Sequence, residues 1–158
     1  MKNKPWKTYG AWILFTEAVG GLAGLLTRSA MQIYNDTILK PPLSPPALVF
    51  PIAWTILYAL MGISAARIWL KPPSPGRSRS LRLYLLQLAF NFLWSFLFFS
   101  FQAFGLAFLW LAALWLLVVR MILSFYETDR PAAWLQLPYL LWLLFAAYLN
   151  LGVWKLNG

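Results

Sequence analysis

The sequence predicts an all-α integral membrane protein, a single bundle of five transmembrane helices. Three observations carry that prediction. Of the 158 residues, 61% are hydrophobic and only 11% are charged, whereas a soluble domain carries about a quarter charged residues. The apolar residues come in runs long enough to cross a hydrocarbon core of about 30 Å at 1.5 Å per residue. At roughly 20 residues per crossing, the chain holds five such runs and leaves no room for a separate soluble domain.

The first crossing is placed at residues 9–26, behind Lys2, Lys4 and Lys7. A basic start before an apolar run imitates a signal peptide, but Glu17 in its middle and the lack of a small-residue cleavage pattern argue against one. Glu17 is costly in lipid and should face the protein interior or a wet cavity, as a neutral carboxyl packing helices together or in a functional role. Gly20 and Gly24 form a G-x-x-x-G, a spacing that permits close contact with a neighbouring helix or with a second copy.

Residues 27–43 are the longest polar connection. Around its end Pro41, Pro42, Pro45 and Pro46 fix φ and favour extended backbone before them, which reads as a stiff lid. Ser44 is the expected N-cap of the second crossing, residues 47–70, with Pro45 at its first helical position. Residues 71–82, KPPSPGRSRSLR, read as a basic, solvated turn. Residues 81–124 are apolar for 44 residues, too long for one crossing. The polar, glycine-bearing stretch Ser100–Gly105 is the place to turn, giving crossings at 81–100 and 103–123. Pro131 opens the fifth crossing, 132–154, with Pro138 inside it and expected to bend it.

There is no cysteine and no histidine, which removes the thiolate nucleophile, disulfides, and the commonest general base and metal ligand. No Ser/His/Asp set, glycine-rich phosphate loop or metal-ligand cluster is present. Of the four carboxylates only Glu17 lies in a crossing, fewer buried ionisable groups than an ion-coupled transporter usually needs. The net charge of +9 lies on no basic stripe of a polar helix, so it implies no nucleic acid; it reads as membrane-orientation charge. A cytoplasmic N-terminus places Lys2, Lys4, Lys7, Arg67, Lys71, Arg77, Arg79, Arg82, Arg120 and Arg130 on one side, with only Arg28, Lys40 and Lys155 on the other. The C-terminus is then external. Trp6, Trp12, Trp69, Trp134 and Trp154 fall near crossing ends, as an interfacial belt does.

Three stripes need more than a belt. Gln87, Asn91, Trp94 and Phe98 share one helical face, as do Phe50, Trp54, Tyr58 and Met61, and again Tyr139, Trp142, Ala146 and Asn150. Amides pointed at lipid would be unsatisfied, so Gln87, Asn91 and Asn150 should point inward. Spacing leaves two readings open. The stripes could line a cavity for a flat, mostly apolar ligand, or they could be ordinary packing with amides as interhelical glue.

At these residues the chain resembles a known family. Tyr34, Lys40-Pro41, Pro45-Pro46, Phe50-Pro51 and Trp54-Thr55-x-x-Tyr58-x-x-Met61-Gly62 are similar to the signature of the translocator protein family, whose bacterial members are called tryptophan-rich sensory proteins. Gln87-x-x-x-Asn91-x-x-Trp94 and Pro138-Tyr139-x-x-Trp142, with Ala146, Leu149 and Asn150, match the later blocks in order, so the resemblance covers essentially the whole chain. It implies a five-helix bundle, often a homodimer, in a bacterial cell membrane in contact with its lipids. One ligand cavity is implied beneath the connection between the first two helices. By motif match Tyr34, Pro45, Trp54, Tyr58, Gln87, Asn91, Trp94, Trp142 and Ala146 would line it. The ligand implied is a tetrapyrrole such as protoporphyrin IX, with no required cofactor, in porphyrin handling or stress sensing without enzymatic turnover. Light- or oxygen-dependent porphyrin breakdown supported by Trp54 and Trp142, and porphyrin or lipid transport, are the alternatives. Indole and phenol rings stack on a macrocycle, Arg28 or Lys40 could pair with propionates, and the lack of histidine favours a metal-free porphyrin. Leu151 stands where the animal sterol motif has tyrosine, although Lys155 keeps its charge. The resemblance therefore does not extend to that motif.

Overall fold

The computed structural model describes residues 4–158, so the orientation charge assigned to Lys2 lies outside the described residues. Helix α1, Pro5–Leu26, starts earlier than residue 9 because Pro5 fits a first helical turn, where its missing N–H costs nothing. Thr27 ends it, its hydroxyl donating to the Ala23 carbonyl at 2.7 Å. The polar connection then folds into a helix of its own, α2, Arg28–Thr37.

Helix α3, Val49–Trp69, begins after the position expected from Ser44. Ser44 is not its cap; the hydroxyl donates backwards to the Pro41 carbonyl at 2.7 Å. The reason is steric: Pro46 disfavours the helical region for Pro45, so the helix cannot start there. At Ser74 the same Ser-Pro pair, without a second proline, does cap. Its Oγ accepts from the Arg77 N–H at 3.0 Å, and α4 runs Pro75–Ser95 from what reads in sequence as a loop. A π-helical turn, Phe96–Ser100, continues α4. The reversal follows at residues 101–103, with Gln102 at φ 49°.

Helix α5 is Phe104–Thr128, α6 is Arg130–Trp134 and α7 is Leu137–Asn157. Pro138 lies in the first turn of α7, inside the fifth crossing Arg130–Asn157, and the helix is interrupted at residues 135–136 just before it, where the proline supplies no N–H. Asp129 caps α6 by accepting from the Ala132 N–H at 3.1 Å. It also pairs with Arg67 at 2.7 Å and Lys71 at 3.0 Å, fastening the end of α3 to the α5–α6 junction.

By length and hydropathy α1, α3, α4 with its π turn, α5, and α6–α7 together are the five helices able to cross a membrane. Among the described residues there is no strand. Because lipid tails are as apolar as leucine, close packing and interhelical hydrogen bonds hold such a bundle. Helix α1 packs on α3 through Gly62, where a β-carbon would come within 2.6 Å of the Ile13 Cα. The main core, including Met61, Tyr84, Met121, Phe125 and Leu143, joins α3, α4, α5 and α7. Tyr34, Phe98, Phe104, Ala107 and Val153 form a smaller cluster towards the opposite end.

Candidate functional site

The faces of α1, α2, α3, α4 and α7 leave between them a chamber of about 680 Å³, within the size range of small-molecule sites. Trp54, Tyr58, Asn91, Trp94, Phe98, Trp142, Ala146, Asn150 and Tyr34 all contribute to its lining. Trp54 stacks on Tyr58 with ring centres 5.3 Å apart and meets Trp142 edge-on at 6.3 Å. Trp94 stacks on Phe98 at 5.0 Å. Its indole N–H donates to Asn150 Oδ1 at 3.1 Å, and Asn150 Nδ2 donates to the Phe104 carbonyl at 2.8 Å.

Four expected lining residues stand elsewhere. Met61 is fully buried in the main core, one turn too deep along α3 to reach the space. Gln87 and Tyr139 sit behind the wall in a directed chain of hydrogen bonds. Tyr58 donates to Asn91 Oδ1 at 2.9 Å, Asn91 Nδ2 donates to Tyr139 at 2.9 Å, and Tyr139 donates to Gln87 Oε1 at 2.8 Å. They fix the rotamers of Tyr58 and Asn91, both of which line the chamber. Pro45 also lies outside the lining.

The proline segment is an anchor more than a lid. Asn157 binds both backbone groups of Leu39, accepting its N–H at 3.1 Å and donating to its carbonyl at 2.8 Å. Tyr148 donates to the Pro42 carbonyl at 2.6 Å, and Pro41 packs so near Gly152 that a β-carbon there would come within 2.5 Å. What closes this end is α2, through Arg28, Met31, Gln32, Tyr34 and Asn35. Tyr34 packs on Phe98 and Phe99 at 5.3 and 5.2 Å. Burial pushes its hydroxyl up to about 12, so it remains neutral at any ordinary pH.

Two sets of lining residues have a signal that stripe-reading on the aromatic helices misses. Glu17, Gly20, Gly21, Gly24 and Arg28 recur at helical spacing and all face the chamber. Met31, Tyr34 and Asn35 show the same period in α2. Of the two basic residues expected at the mouth, only Arg28 faces the space. Lys40 Nζ donates to the carbonyls of Tyr34, Asn35 and Ile38 at 3.1–3.2 Å, and lies 4.9 Å over the Tyr34 ring. Among the described residues no three histidine, cysteine, aspartate or glutamate side chains come together.

Comparison with known proteins meets this geometry. The family model described as TspO/MBR family matches residues 12–155. The chain is 34% identical over 149 residues to a tryptophan-rich sensory protein of Cereibacter sphaeroides, covering 92% of both chains. It is 36% identical over 148 residues to the tryptophan-rich protein TspO of Archaeoglobus fulgidus, covering 94% of this chain and 95% of that one. To the translocator protein of Bos taurus it is 31% identical over 155 residues, covering 97% and 92%.

Proposed function

The chain belongs to the TspO/MBR family, and on that premise we propose that it binds tetrapyrroles of the protoporphyrin IX kind, and other flat apolar ligands, within the bilayer. The observation that carries the reading is the convergence of Trp54, Trp94 and Trp142 with Tyr58 on one chamber of about 680 Å³. Indole and phenol faces offer stacking surface to a planar macrocycle. Asn91 and Asn150 supply fixed polar edges, and Arg28 a cation for a propionate carboxylate. No lining residue supplies paired acid–base groups, so the role is reversible binding in porphyrin handling or sensing.

In the same reading the N-terminus is cytoplasmic and the chamber opens towards the opposite face, which the unequal spread of lysine and arginine supports. A second copy of the chain is the expected partner within the membrane. The test is an absorption titration of metal-free protoporphyrin IX with the purified protein in detergent. A saturable shift of the main porphyrin band, absent for an unrelated membrane protein of equal tryptophan content, is the expected result. A linear response would remove the reading.

A further inference from the structure

Glu17 lies twelve residues into α1 from Pro5 and nine before its end at Leu26, at a depth where a carboxyl is costly without a partner. Among the described residues it makes no hydrogen bond and no ion pair, whereas Glu127 is held by Arg79 and Asp129 by Arg67 and Lys71. It therefore does not pack helices together. It lines the chamber, and among the described residues it is the only acid that does so and Arg28 the only base. Gly20, the next turn of α1, touches the Tyr58 ring, which puts Glu17 at the floor beside Tyr58 and Asn91. Arg28 is eleven residues further on, at the start of α2 beyond the break at Thr27, and lines the chamber there. Arg28 stands exposed at the mouth and Glu17 part-buried at the floor, so a charge on each would polarise the space along its length.

We propose that Glu17 is the residue that gives the chamber its polarity, excluding anionic groups from the deep end so that a dicarboxylate ligand lies with its carboxylates at Arg28. This rests on the reading of the chamber as a tetrapyrrole site and adds which way round the ligand sits. A cationic group, by contrast, is admitted beside Glu17.

The test compares three probes by tryptophan quenching: protoporphyrin IX, its uncharged dimethyl ester, and an analogue with two alkylammonium groups replacing the propionates. Each is titrated into wild-type protein, Glu17→Gln and Arg28→Gln. For the dicarboxylate, Glu17→Gln should tighten binding about threefold and Arg28→Gln loosen it about tenfold. For the dication both signs should invert, and the ester should stay within about twofold of wild type throughout. A loss of packing cannot produce that inversion. The proposal is overturned if Glu17→Gln binds the dicarboxylate and the dication as wild type does, or if it shifts all three probes in one direction. Wild-type protein that binds none of the three would instead remove the tetrapyrrole reading, and this proposal with it.

Discussion

Gly20 lies directly against the ring of Tyr58, so closely that a β-carbon at residue 20 would overlap the ring edge. The G-x-x-x-G of α1 therefore works within the chain at its first glycine, while Gly24 meets nothing within 4 Å and faces the chamber. Gly20→Ala should displace Tyr58, break its bond to Asn91 and cost about 1–3 kcal/mol through overpacking. Gly24→Ala should be neutral or stabilising by up to about 1 kcal/mol from helix propensity. Thermal unfolding in detergent of the two variants checks the contrast; equal losses would contradict it.

Ser74 and Ser44 each precede a proline, yet only Ser74 caps a helix. Ser74→Ala should cost about 1 kcal/mol, with faster amide exchange in the first turn of α4. Ser44→Ala should leave the first turn of α3 unchanged, since its hydroxyl serves the Pro41 carbonyl. Hydrogen exchange resolved to peptides reads both.

The Asp129 carboxyl is buried, which alone would raise its affinity for protons. Hydrogen bonds from Arg67 and Lys71 outweigh that and hold it below its ordinary value. A depressed folded value means that its contribution is complete above the unfolded carboxylate range of about 4 and is lost as pH falls through the folded value. Asp129→Asn should cost about 1–2 kcal/mol at neutral pH, because both cations are partly exposed. It should also flatten the acid limb of a stability-against-pH curve, and an unchanged acid limb would show that the fastening is not there.

Lys40 serves the C-terminal carbonyls of α2. Lys40→Met should cost about 1 kcal/mol and speed amide exchange across residues 34–40. Porphyrin affinity should fall less than in Arg28→Gln. The reverse order of affinities would mean that Lys40, not Arg28, meets the ligand.

The crossings were legible because lipid imposes length and apolarity on every helix, and the stripes because a helix repeats every 3.6 residues. Periodicity gives a face but not a depth. On one face of α4, Asn91 and Trp94 reach the chamber while Gln87, one turn away, lies behind it. On α3 Met61 is likewise one turn beyond Tyr58. Helix α2 was hidden because its polar residues read as a loop, and its inward face carries only Met31 and Tyr34 as large apolar side chains. The start of α4 was hidden by basic residues that suit a solvated turn as well as a first helical turn. Pro138 marked the fifth crossing for a bend, but its position alone did not show that a turn at residues 135–136 would divide the crossing into α6 and α7.

The central claim is that Trp54 and Trp142 face a bound macrocycle. Titrating protoporphyrin IX while following tryptophan emission tests it most directly, in wild-type protein, Trp54→Phe, Trp142→Phe and Trp6→Phe, the last being an exposed indole outside the chamber. Saturable quenching is expected in wild type and Trp6→Phe, with a smaller amplitude and weaker affinity, about threefold to tenfold, in the two chamber variants. Quenching that never saturates, or that is the same in all four proteins, would contradict the account.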